Sequence, residues 1–275
     1  MQSYPIGEIV LLASWIAGAG ILVGILAGLF GIGGGAIIVP VLYEIFRVLG
    51  VPEDVRMQLC IGTSLAIIVP TTVRSYLGHK KRGVVITEVL RIWAAPAIAG
   101  VAVGAVVASY APAALFKIAF LLFVSFVAVR MLWGTGRGSL GRELPGRGLQ
   151  YVYGFVTGLF SSLVGVSGGS ISNAVLTFYG RSLQQAVATS SGLGVPITIA
   201  GTIGYMIAGW SHRAAMPPLS IGFVSLIGVA LMAPVSSFTA NWGVRLAHWL
   251  PRRALEIGFG VFLLVVAGRF VASLL

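Results

Sequence analysis

The chain has 275 residues, 57% of them hydrophobic and only 9% charged, with a mean hydropathy of +1.00 and a formal net charge of +11. That leaves too little polar surface to cover a soluble domain, and the continuous apolar runs are too long for the alternating strands of a barrel, so an all-α polytopic membrane protein is expected. The excess of Lys and Arg falls in short loops between apolar runs, where it orients a membrane protein, and no nucleic-acid partner is expected from it.

The N-terminal "MQSYPIGEIV" has no basic n-region and carries Glu8, so the first hydrophobic segment is expected to be retained rather than cleaved. Apolar pieces follow near residues 6–30, 33–49, 57–78, 86–108, 112–133, 150–166, 168–180, 183–208, 216–240 and 252–274. The first two lie in a charge-free stretch of 35 residues, Ile9 to Tyr43. A continuous helix of that length would be about 52 Å long, against a hydrocarbon core of about 30 Å. The five glycines within "GLFGIGGGAIIVP", residues 28–40, are expected to interrupt it. The lone Cys60 permits no intramolecular disulfide and reads as a small packing residue.

Three loops concentrate positive charge: "GHKKRGVV" at 78–85, "GTGRGSLGRELPGRG" at 134–148 and "NWGVRLAHWLPRR" at 241–253. The positive-inside rule makes them cytoplasmic. Alternation then puts the loop near 43–56, the loops near 109 and 211, and both termini outside. The expected organisation is a first membrane repeat over 1–133, a cytoplasmic linker over 134–149 and a second membrane repeat over 150–275.

The halves resemble each other. "GILAGLF" at 24–30 matches "GFVTGLF" at 154–160, and "GGAIIVPVL" at 34–42 matches "GGSISNAVL" at 168–176. Thr63, Ser64, Pro70, Thr72, Gly78 and Gly83 align without gaps to Thr189, Ser190, Pro196, Thr198, Gly204 and Gly209. Five pieces per half is an odd number, so the repeats are inverted, an arrangement of secondary transporters whose sites lie near the midplane. The pairs 6–30 with 33–49 and 150–166 with 168–180 then form hairpins or broken helices whose Gly-rich tips meet there.

The helices starting at the tips expose free N–H groups and the positive end of a dipole, which suits an anion. The substrate-binding candidates are therefore Gly33, Gly34 and Gly35 in the first tip, with Ser167, Gly168, Gly169 and Ser170 in the second. The alternative is that these glycines only permit close helix packing, the role expected for Gly20-x-x-x-Gly24-x-x-x-Gly28. Thr63, Ser64, Thr189 and Ser190 either line the site or bond their own helix carbonyls. Pro70 and Pro196 either supply a hinge or serve packing. Arg74, whose repeat partner is Ala200, either captures an anion or snorkels to lipid headgroups. Asn173 is a weaker candidate on the same grounds. No catalytic residue, metal or cofactor is expected, and no Asp or Glu lies deep enough for a carboxylate proton relay.

With "GLFGIGGGAIIVPVL", "IGTSLAIIVPT", "GLFSSLVGVSGGS" and "ATSSGLGVPIT" in hand, the chain resembles the TauE/SafE, or TSUP, family of sulfite exporters over nearly its whole length. The resemblance implies a bacterial or archaeal inner-membrane transporter whose partners are lipid and a small anion such as sulfite or an organosulfonate, usually exported. It leaves the oligomeric state open. An anion channel is the alternative. A rival of another class is a rhomboid-type serine protease, since "GVSG" at 165–168 matches a nucleophile turn, but His79, His212 and His248 all fall in loops or at segment ends.

Overall fold

The computed structural model describes residues 18–26, 34–133, 143–247 and 251–272. Helix α1 covers residues 18–26. It is followed by α2 (Gly35–Val48), α3 (Glu53–Lys81), α4 (Thr87–Tyr110), α5 (Ala113–Trp133), α6 (Arg147–Val164), α7 (Gly169–Phe178), α8 (Leu183–Ala208), α9 (Leu226–Ala247) and α10 (Arg252–Ala272). Of these, α3, α4, α5, α8 and α10 are long and apolar enough to cross a membrane. Local chemistry sets the ends of the two longest. Helix α3 follows Pro52, with Glu53 and Asp54 in its first turn and His79, Lys80 and Lys81 in its last, which complements the helix dipole. Helix α8 is capped by Ser182, whose hydroxyl accepts from the Gln185 N–H at 3.2 Å.

The packing follows the sequence repeat. At the centre, α3 and α8 run antiparallel: Gly62 lies against Tyr205, Leu65 against Gly201, and the hydroxyls of the equivalent Thr72 and Thr198 stand 3.4 Å apart. Equivalent helices in opposite directions are what inverted repeats require. Around this pair the fourth helix of each half packs on the other half. Helix α4 lies on α6 and α8, with Gly154 and Gly158 seated against the Trp93 and Ala97 carbonyls. Helix α9 lies on α3, with Gly20 and Gly24 of α1 seated against Val235, Ser236 and Thr239. Those glycines admit close backbone approach, as small residues do between membrane helices, while Gly28 lies outside the described residues. Helices α5 and α10 pair with each other.

One expected segment differs. Residues 216–225 do not begin a helix: after a 3-10 turn at Trp210–Ala215, Ser220–Ile221 and Val224–Ser225 form a two-stranded antiparallel hairpin. Phe223 is buried beside Tyr205, and its N–H bonds the Tyr205 carbonyl at 3.0 Å. The apolar residues that made 216–240 look continuous thus lie against Gly62 of α3 and the last turns of α8, and α9 starts only at Leu226. Pro217, Pro218 and Gly222 disfavour helix there, Gly222 having φ 55°.

Candidate functional site

Both tips turn on glycine. Gly34 precedes α2 with φ 70° and Gly168 precedes α7 with φ 76°, a conformation that side chains bearing Cβ rarely adopt. Before the second tip, Gly165 ends α6 with φ 78°, and its N–H bonds the Ser161 carbonyl at 2.9 Å. Gly33 lies outside the described residues. The tips touch: a Cβ added at Gly35 would fall 2.5 Å from the Gly165 carbonyl oxygen and 2.9 Å from Val166 Cα. Their depth follows from α8, whose Gly194 lies against Ser167 while Ile197 lies against Gly168. These residues are near the middle of the 26-residue helix, roughly 17 to 21 Å from either end at 1.5 Å per residue.

Each start leaves donors free. In α7 the N–H groups of Gly169, Ser170 and Ile171 find no acceptor among the described residues, the first bond back to the cap being Ser172 N–H to the Gly168 carbonyl at 3.0 Å. In α2 the same holds for Gly35 and Ala36. The surroundings differ. Gly34, Gly35 and Ala36 are buried, whereas Gly169 and Ser170 are half-buried. A Cβ at Gly169 would meet nothing closer than the Ser167 hydroxyl at 3.7 Å and the Ser190 hydroxyl at 4.0 Å. The second tip therefore offers N–H donors, hydroxyls and space together.

The Thr-Ser pairs divide by role. Thr63 Oγ1 accepts from the Ser225 N–H at 3.0 Å, and Thr189 Oγ1 accepts from the Ile86 N–H at 2.9 Å. Each threonine thereby fixes the entry to the fourth helix of the opposite half, α9 and α4 respectively. Ser64 donates to the Gly165 carbonyl at 2.9 Å and holds the second tip from beneath. Ser190 donates to its own helix at Val187 O, 3.0 Å, yet remains beside Gly169.

Arg74 stands apart from the tips. Its side chain is exposed in a groove between α3 and α9. Thr157 and Ser161 of α6, which lie against Gly168, and Ser172 of α7 join the second tip without having stood out by hydropathy. Thr157 Oγ1, Ser172 Oγ and Asn173 Oδ1 are buried without a partner among the described residues. A signal existed: Thr157, Ser170, Ser172 and Asn173 replace Ala27, Ala36, Ile38 and Val39 of the first repeat. Of the three histidines, His79 is in the last turn of α3, His212 lies tilted against the Phe223 ring at the hairpin, and His248 lies outside the described residues. Among the described residues no cluster of His, Cys, Asp and Glu gathers to hold a metal.

The profile of the sulfite exporter TauE/SafE family matches residues 16–270. The chain belongs to this family. It is 32% identical over 248 residues, 90% of its length and 94% of the relative's, to a probable membrane transporter protein of Haemophilus influenzae. It is 27% identical over 252 residues, 91% and 92% of the two chains, to another from Methanocaldococcus jannaschii. A third, from Bacillus subtilis, is 27% identical over 221 residues, 72% of this chain and 81% of the relative. No solved structure matches the chain. Family and apolar helices together make it a multi-pass membrane transporter of the TauE/SafE type.

Proposed function

We propose that the protein is a secondary transporter, without catalytic activity, that carries a small sulfur-containing oxyanion such as sulfite or a sulfonate across the inner membrane. The reading rests on one observation: the N–H groups of Gly169, Ser170 and Ile171, without acceptors among the described residues, lie at the tip where a Cβ at Gly169 would meet the Ser167 and Ser190 hydroxyls, halfway along α8. Backbone donors at a helix start and neutral hydroxyls favour an anion without trapping it as a lysine would. A carrier must release what it binds. The first tip, sealed against Gly165 and Val166, serves as the floor against which the second is placed.

Among the described residues no Asp or Glu lies against the tips, and the drive in this reading is the membrane potential. An inside-negative potential favours anion export by about 2.3 kcal/mol per charge per 100 mV. The basic loops at 78–85, 134–148 and 241–253 face the cytoplasm in this reading, and α6 and α7 enter the membrane from that side.

The test is radiolabelled sulfite efflux from proteoliposomes under an imposed potential, with sulfate and thiosulfate as competitors and Gly169→Ala as the variant. Saturable, potential-dependent flux that the variant lowers supports the reading. Flux that ignores the potential and follows a pH gradient removes the proposed drive, and wild-type flux from Gly169→Ala removes the site.

A further inference from the structure

The α3–α9 interface opens on the side where α3 ends in positive charge. The two helices are in close contact at Thr63, whose Cγ2 would lie 3.1 Å from a Cβ at Gly228. Two to three turns further on they part around a groove of about 840 Å³. One wall is Pro70, Val73 and Arg74; the other is Ala233, Pro234, Ser237 and Phe238. Each wall carries a proline within its helix, which removes a backbone hydrogen bond and crowds the preceding turn, so the gap has a cause in both strands of sequence. Pro70, Arg74, Pro234 and Phe238 are exposed, and most of the lining is apolar, so the groove faces lipid rather than water.

Its polar groups are few and placed at one level. Among the described residues Arg74 forms no ion pair and no acidic side chain lines the groove. Ser237 Oγ is buried there without a hydrogen-bond partner among the described residues. Helical spacing puts Lys81, seven residues after Arg74, on the same face of α3 with exposed Leu77 between them. The 29 residues of α3 span about 43 Å, so Arg74 begins roughly 4 Å below the edge of a centred 30 Å hydrocarbon core, and its side chain reaches the phosphate level.

We propose that this groove is a binding site for an anionic phospholipid, with an acyl chain between Val73 and Phe238 and the headgroup phosphate held by Arg74 from below and Lys81 from above. Ser237 supplies a hydroxyl at the glycerol level. The occupant follows from charge complementarity: an apolar slot ending in two cations that form no ion pair among the described residues fits an acyl chain attached to a phosphate. A free oxyanion would leave the slot empty, and a zwitterionic lipid brings a cation that meets Arg74 unfavourably.

Native mass spectrometry of the detergent-solubilised full chain tests this, titrated with phosphatidylglycerol and, separately, phosphatidylethanolamine. Wild type is expected to retain phosphatidylglycerol preferentially. With each basic residue near a membrane surface contributing as expected, Arg74→Gln weakens that binding roughly fivefold and Arg74→Gln with Lys81→Gln roughly thirtyfold. Arg74→Lys keeps most of it, which separates charge from misfolding, and Arg213→Gln at the other end of the molecule changes nothing. Equal retention of the two lipids, an unchanged double variant, or an equal loss in Arg213→Gln overturns the proposal. Displacement of phosphatidylglycerol by excess inorganic phosphate or sulfite also overturns it, and assigns the groove to a free anion. Sulfite flux is not part of this readout, so the lipid site and the transport reading fail separately.

Discussion

The first and second tips share a backbone and differ in almost everything around it. Both begin a helix after a left-handed glycine, Gly34 and Gly168, and both leave N–H groups without an acceptor among the described residues. The first continues as Ala36, Ile37, Ile38 and Val39, all buried; the second continues as Ser170, Ile171, Ser172 and Asn173, two positions of which are polar and half-buried. An N-terminus sealed in apolar packing has a dipole but no room for a ligand, whereas the same geometry with hydroxyls and open space can receive one. Repetition of a fold element therefore does not imply repetition of its role.

The sharpest test of this contrast is Gly35→Ala. Its Cβ would stand 2.5 Å from the Gly165 oxygen, so either the tips separate or the backbone shifts, at a cost of about 1–3 kcal/mol or more. A large drop in the detergent melting temperature is expected, with flux lost along with the folded protein. If Gly35→Ala melts like wild type, the first tip is not a packed floor. Ser64→Ala ranks next. It leaves the buried Gly165 carbonyl without its side-chain donor and should destabilise by about 1–3 kcal/mol, measurable in the same melting experiment.

Gly169→Ala should behave in the opposite way. With its nearest neighbours at 3.7 Å and 4.0 Å, the new methyl fits, so melting should stay within a degree or two of wild type by this steric argument while sulfite KM rises, on the order of tenfold. Equal melting and equal KM would show that the second tip is no more a binding site than the first. The smallest expected effect is Ser170→Ala, which removes one half-buried hydroxyl. A KM increase of about two- to fivefold, with the turnover unchanged, would correspond to one neutral hydrogen bond. No effect would assign the anion to backbone N–H groups alone.

The helical architecture and the repeat could be read from sequence because each rests on local signals. Helix α8 was legible to the residue at 183–208, since Ser182 caps it and Gly209 ends it. The pairing of Thr63 and Ser64 with Thr189 and Ser190 was equally visible, but not what they do. Thr63, Ser64 and Thr189 find their partners at Ser225, Gly165 and Ile86, more than 100 residues away in chain, and hydropathy carries no information about such contacts. The hairpin at 220–225 was missed for a related reason: Phe223 and Val224 are as apolar as lipid-facing residues but are buried by protein. Thr157 and Ser161 look like ordinary small residues of a membrane helix until α6 is packed beneath Gly168.

The crossed threonine bonds bear on how the chain is made. Helix α4 packs chiefly on α6 and α8, and the Ile86 N–H at its start waits for Thr189. About 100 residues separate the end of α4 from the end of α8, which at ordinary rates of synthesis is on the order of 5 to 20 seconds. During that interval the glycine-fitted face of α4 is uncovered in the bilayer. The first half therefore reaches the membrane as an unfinished surface that only its own later translation product can complete, and the insertion machinery must hold it open without letting another helix take the place.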